Sequence, residues 1–147
     1  MTAWVALALR LSRAGAEVIL SARSEDKLTA LADSLPAKAQ VVPVDVADEA
    51  SVAAAAKTVG KVDGVVYLAG VYWPFGAKDW NAEQATAMAD INFTGLMRVM
   101  GQVVPAMVAR DAGHIVITSS LTGFRGLPGS IGYTASKAAT MSLAECM

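Results

Sequence analysis

The sequence predicts an α/β domain built on a parallel sheet, and three observations carry that prediction. Short apolar runs alternate with stretches whose apolar residues recur at helical spacing, the pattern of βαβ units. The first of these runs is apolar at every position, as expected of a parallel strand covered on both faces. A chain of 147 residues, 54% apolar and 17% charged, suffices for one well-packed domain over residues 1–147.

The elements follow in order. Trp4, Leu7, Ala8 and Leu11 share one helical face, and Gly15 is a stop signal, giving a helix over roughly residues 3–14. Val18, Ile19 and Leu20 form the first strand. Ser24 stands at the N-cap of a second helix, with Glu25 and Asp26 at its positive end and Leu28, Leu31, Ala32 and Leu35 as its stripe; Pro36 closes it. A strand over 40–44 leads to a helix capped near Asp48, with stripe Val52, Ala55, Ala56 and Val59 and Gly60 after it. A third strand, 62–68, ends at Ala69 and Gly70. The aromatic-rich loop GVYWPFGAK follows, then a mostly helical stretch, 81–110, that Pro105 should bend. Met88, Met97, Met100 and Met107 lie along it, as core or as a subunit contact. The run HIVIT, 114–118, is the last strand, and a helix carries Tyr133 and Lys137.

Composition excludes several classes. A net charge of −1 leaves no basic footprint for nucleic acid. No apolar run approaches the roughly 20 residues of a membrane span. The opening MTAWVALALRLSRAGAE lacks a basic amino-terminal region and is interrupted by Arg10 and Arg13, so it reads as a helix and not a leader. One cysteine, Cys146, permits no internal disulfide and no metal-ligand spacing. The cytoplasm is the expected compartment.

The stretch SSLTGFRGLPGSIGYTASK, 119–137, concentrates the chemistry. Tyr133 and Lys137 stand four residues apart, on one helical face. Ser120 ends the HIVIT strand thirteen residues before Tyr133, so a strand end and a helix start can face one space. A free phenol titrates near pH ~10, and an adjacent cation favours phenolate, which suits Tyr133 to proton transfer at a carbonyl or alcohol.

These residues resemble the active-site signature of the short-chain dehydrogenase/reductase family, in which Ser, Tyr-x-x-x-Lys and an upstream Asn form a catalytic tetrad on a Rossmann-like, doubly wound parallel sheet. Asn92, in DINFTG, matches the family's Asn in its N-x-x-G setting. The resemblance implies hydride transfer between a nicotinamide and a small-molecule carbonyl or alcohol. Tyr133 would be the general acid/base, Lys137 its partner and ribose anchor, and Ser120 the substrate-oxygen donor. Asn92 would bend its helix and hold a water that links the lysine to solvent. The family commonly pairs the helices matching 81–110 and 130–147 across a homo-oligomer interface.

Cofactor contacts follow from the same resemblance. Asp45, ending VVPVDV, matches an adenine-contacting Asp, with Val46 beside the ring, although a strand-end Asp also serves as a helix cap. Ala69 and Gly70, with Tyr133 and Lys137, complete the implied cofactor contacts. After the first strand stand Ser21, Ala22, Arg23 and Ser24; no carboxylate there repels a 2′-phosphate and Arg23 can bind one bidentately, so NADP(H) is expected over NAD(H), unless Arg23 is simply an exposed side chain.

Two departures stand out. The family's Asn-Ala-Gly after the fourth strand is Leu68, Ala69, Gly70 here. The family's opening strand and T-G-x-x-x-G-x-G turn, which place backbone amides against the pyrophosphate, have no counterpart in this sequence, and the last helix stops at Met147. The expectation is therefore a fragment with an incomplete sheet, its first and C-terminal strands missing, that is inactive alone. The alternative is a non-catalytic, truncated interaction module.

Overall fold

The computed structural model describes residues 2–147. The element order is α1 (Ala3–Arg13), β1 (Ile19–Leu20), α2 (Glu25–Ser34), β2 (Gln40–Val41), α3 (Glu49–Val59), β3 (Gly64–Tyr67), α4 (Ala82–Ala89), α5 (Gly95–Ala109), β4 (His114–Ile117) and α6 (Ile131–Cys146). The chain divides into two compact units, one running to Asp45 with Ala50–Gly60 added, the other comprising Val46–Glu49 and Lys61–Met147.

In the first unit β1 and β2 pair in parallel, Ile19 opposite Gln40 and Leu20 opposite Val41. Backbone bonds from Gln40, Val42 and Val44 to the carbonyls of Val18, Leu20 and Ala22 continue that pairing across the apolar runs read from the sequence. Ala8 of α1, Leu20, and the α2 stripe Leu28, Leu31 and Leu35 form the core. Ser24 occupies the N-cap of α2, but its hydroxyl makes no capping bond.

In the second unit β3 and β4 pair in parallel, from Gly64 opposite His114 to Tyr67 opposite Ile117. Tyr67, Leu96 and Met100 form the core, with Val65, Ile115 and Ile117 packed on it. Period-two alternation sends Val66 and Val116 to the other face, where they remain 37% and 39% exposed. Among the described residues, the two sheets share no strand and no strand precedes α1. This is the incomplete form of the Rossmann-like α/β arrangement that the sequence predicts.

Within the helical stretch 81–110, Pro105 does not end the helix. Proline lies inside α5, which continues to Ala109; the bond it forgoes is to the carbonyl of Gly101, which is exposed. A π-helical turn, Asp90–Thr94, joins α4 to α5. Asn81 starts α4 by accepting the Gln84 N–H on its side chain at 2.9 Å.

Helices α4 and α6 meet at Gly132. A Cβ there would lie 2.8 Å from Met88 Cε and 3.2 Å from the Cα and O of Ala85, so a side chain one residue before Tyr133 would crowd the α4 backbone as well as the flexible Met88 tip. Gly132→Val should therefore cost about 1–3 kcal/mol through overpacking, read as a lowered urea midpoint; an unchanged midpoint would show that the helices part freely.

Candidate active site

Four segments of the second unit converge around α6: the β3 exit, the π-turn, the β4 exit and the first two turns of α6 itself. The π-turn places Asn92 inward with 0% exposure. Its Oδ1 accepts the Val71 N–H at 2.7 Å, and its Nδ2 donates to Val71 O and to Ser136 Oγ, both at 3.0 Å. Ser136 passes the chain on by donating to Tyr133 O at 2.7 Å. A buried primary amide leaves its groups unpaired only at high cost, and here one side chain ties the loop after β3 to the turn that carries Tyr133. The turn is held from beneath by Tyr67, whose hydroxyl donates to Ile91 O at 2.8 Å, and flanked by the Arg98–Asp90 ion pair at 2.9 Å. Burial pushes the Tyr67 phenol well above its ordinary range, so it stays a neutral donor.

Lys137 is 5% exposed. Its Nζ donates to Thr118 O at 2.7 Å and lies 5.7 Å from the Tyr133 ring centroid, so the four-residue spacing does bring cation and phenol to one face. Desolvation by burial lowers the Lys137 pKa. The strand end is also fixed in the opposite sense. Ser119 Oγ donates to Lys137 O at 2.8 Å, and Thr140 Oγ1 reaches both Ser119 Oγ, at 3.1 Å, and Lys137 O, at 2.8 Å. Lysine thus holds the strand through its ammonium while the strand holds the lysine's backbone.

Ser120 follows directly. Its Oγ accepts from the N–H and Oγ1 of Thr122, at 3.3 and 3.1 Å. Both contacts use the oxygen as acceptor and leave the Ser120 O–H free to be given elsewhere. The Tyr133 hydroxyl has no hydrogen-bond partner among the described residues. Gly70 lies between two of the polar groups: a Cβ on it would sit 3.2 Å from Asn92 Oδ1 and 3.8 Å from Lys137 Nζ. Ala69 packs against the core beneath it, as does Val46. Leu68, where the resembled family has Asn, is 40% exposed and brings no polar group to this cluster.

Asn92, Tyr133 and Lys137 are thus linked in one network, with Ser120 joined to it through its neighbour Ser119. Arg23 and Asp45 belong to the first unit; Arg23 is exposed after β1, and the Asp45 N–H donates to Ser51 Oγ at 3.0 Å. Sequence reasoning missed Ser119, Ser136 and Thr140, which act through contacts between elements and have no short-range signature. Among the described residues no His, Cys, Asp and Glu cluster fits a metal ion, and no helix is long and apolar enough to cross a membrane.

The sequence pattern of the short chain dehydrogenase family matches residues 5–147, and the chain belongs to that family. An uncharacterized oxidoreductase of Staphylococcus epidermidis is 32% identical over 146 residues, covering 97% of this chain and 64% of its own length. Sorbitol-6-phosphate 2-dehydrogenase from Erwinia amylovora superposes with a TM-score of 0.92 at 26% identity, over 99% of this chain and 61% of its own. A metagenomic short-chain oxidoreductase solved in complex with NADP superposes at 0.90 with 29% identity, over 97% of this chain and 68% of its own. The chain spans 64% of the length of the staphylococcal relative.

The buried ammonium has a pH signature. Because the folded-state pKa of Lys137 is lowered, the unfolded chain holds its proton to higher pH, and stability rises between that lowered value and the ordinary lysine value of about 10.4. Lys137→Met should lose this rise, measured as urea midpoints at neutral and alkaline pH; parallel slopes in variant and wild type would refute it.

Proposed function

We propose that this chain carries the catalytic and nucleotide-contacting segment of an NADP(H)-preferring oxidoreductase acting on a small-molecule carbonyl or alcohol. The single observation that carries the reading is the Lys137 ammonium 5.7 Å from the Tyr133 ring centroid; the Ser120 hydroxyl, whose proton is uncommitted, follows the strand end that Lys137 binds. When bound, the nicotinamide supplies or accepts the hydride.

The residues present suit such a group. Gly70 leaves room beside Asn92 and Lys137, and Lys137 spends one of its three N–H groups on Thr118, leaving two for ribose hydroxyls. Ala69, Val46 and Asp45 would contact the cofactor, and Arg23 its 2′-phosphate. In carbonyl reduction Ser120 donates to the substrate oxygen while Tyr133 gives it a proton. The Lys137 cation then stabilises the phenolate. Asn92 would support the proton path, its amide tying the Val71 backbone to the Ser136 hydroxyl next to Lys137 in the chain. The exposed Met97 and Val108 on α5 make that helix the natural surface for a homo-oligomer.

Two measurements test the reading in a protein that turns over a carbonyl with NADPH. Tyr133→Phe should cut kcat about a hundredfold to ten-thousandfold with little change in nucleotide affinity; retained turnover would remove the tyrosine from its role. Arg23→Glu should weaken NADPH binding far more than NADH binding, and equal losses would end the case for a phosphate contact.

A further inference from the structure

Ser130 stands at the N-cap of α6, yet its hydroxyl makes no capping bond to the helix. It is 2% exposed, and its Oγ lies 2.9 Å from the hydroxyl of Tyr72, fifty-eight residues away. A serine at this position usually satisfies an amide of the first helical turn; here it is turned to another side chain. Tyr72 uses the anchor to lay its ring on Tyr133, with centroids 4.7 Å apart and planes tilted by 58°. The loop is pinned on either side of Tyr72 as well. Val71 is clamped by the Asn92 amide, and Phe75 forms a backbone bridge with Ser130. A half-exposed aromatic, 49% accessible, is therefore immobilised from three directions against one ring.

We propose that Tyr72 is a positioning residue for Tyr133, its ring aimed by the Ser130 hydroxyl so that the phenol is held on the side of Lys137. The phenol needs this because its own hydroxyl has no partner among the described residues, and the ring torsion is otherwise limited only by packing. Aromatic contact at this spacing favours tilted geometries such as the one seen. Its removal frees the ring to sample orientations in which the hydroxyl leaves the substrate oxygen, and small misplacements of a reacting group are costly. The kinetic consequence rests on the function proposed above; the geometric one does not.

The test uses the 147-residue chain with its three tyrosines ring-labelled for NMR and assigned by Tyr→Phe variants. Tyr72→Leu should shift the Tyr133 ring signals while those of Tyr67 stay in place. Ser130→Ala and Tyr72→Phe, which break the same hydroxyl pair from its two ends, should give smaller shifts of the same kind. In protein that reduces a carbonyl, Tyr72→Leu should lower kcat about tenfold with the nucleotide KM unchanged. Tyr72→Phe should retain most of the rate, since it keeps the ring. Tyr133 signals identical in wild type and Tyr72→Leu would overturn the proposal, as would shifted signals with an unchanged kcat. Should the wild type reduce no carbonyl, the reading of function falls and the ring signals alone decide the role of Tyr72.

Discussion

The second unit depends on one buried amide. Asn92 has no access to water, so all of its hydrogen bonds must come from the protein, and satisfying it fixes three segments at once: the loop at Val71, its own π-turn and the second turn of α6 at Ser136. A regular α-helix through 90–94 would rotate the following residues. The wider turn instead lets Asn92 point inward while leaving the Ile91 carbonyl for the Tyr67 hydroxyl. Tyr67 comes from β3, so sheet, turn and helix are set by one another.

The β4 exit is governed by a reciprocal arrangement. Burying the Lys137 ammonium is costly, and the Thr118 carbonyl offsets part of that cost. Ser119 and Thr140 return the contact by binding the lysine's own carbonyl. Because Ser120 is the next residue along, its hydroxyl inherits a fixed address from neighbours that carry out no chemistry themselves.

Much of this was legible in the sequence where the determinants are local. The four-residue step from Tyr133 to Lys137 needs only helical periodicity, and the apolar runs marked all four strands because parallel strands must be apolar. What escaped depends on contacts distant in sequence. The irregular turn at Asp90–Thr94 is foreshadowed only by the helix bend that the resemblance attaches to Asn92; nothing in DINFT announces that Tyr67 and Val71 await it. Ser24 reads as a cap and sits at the cap position, but its hydroxyl is not used there. Tyr72 was visible only as one aromatic of a loop, since its role depends on Ser130 and Tyr133, which are remote until the chain folds. The candidate site residues are brought together only within the second unit; Arg23 and Asp45 belong to the first.

The uncovered face of the β3–β4 ladder bears on how the chain behaves in a tube. Among the described residues the β3–β4 ladder pairs with no further strand, and Val66, Leu68 and Val116 are exposed apolar side chains on or beside it. No proline interrupts β3 or β4, and a charged side chain stands only beyond the ladder, at Asp63. Such a ladder is a template for strand addition by another chain.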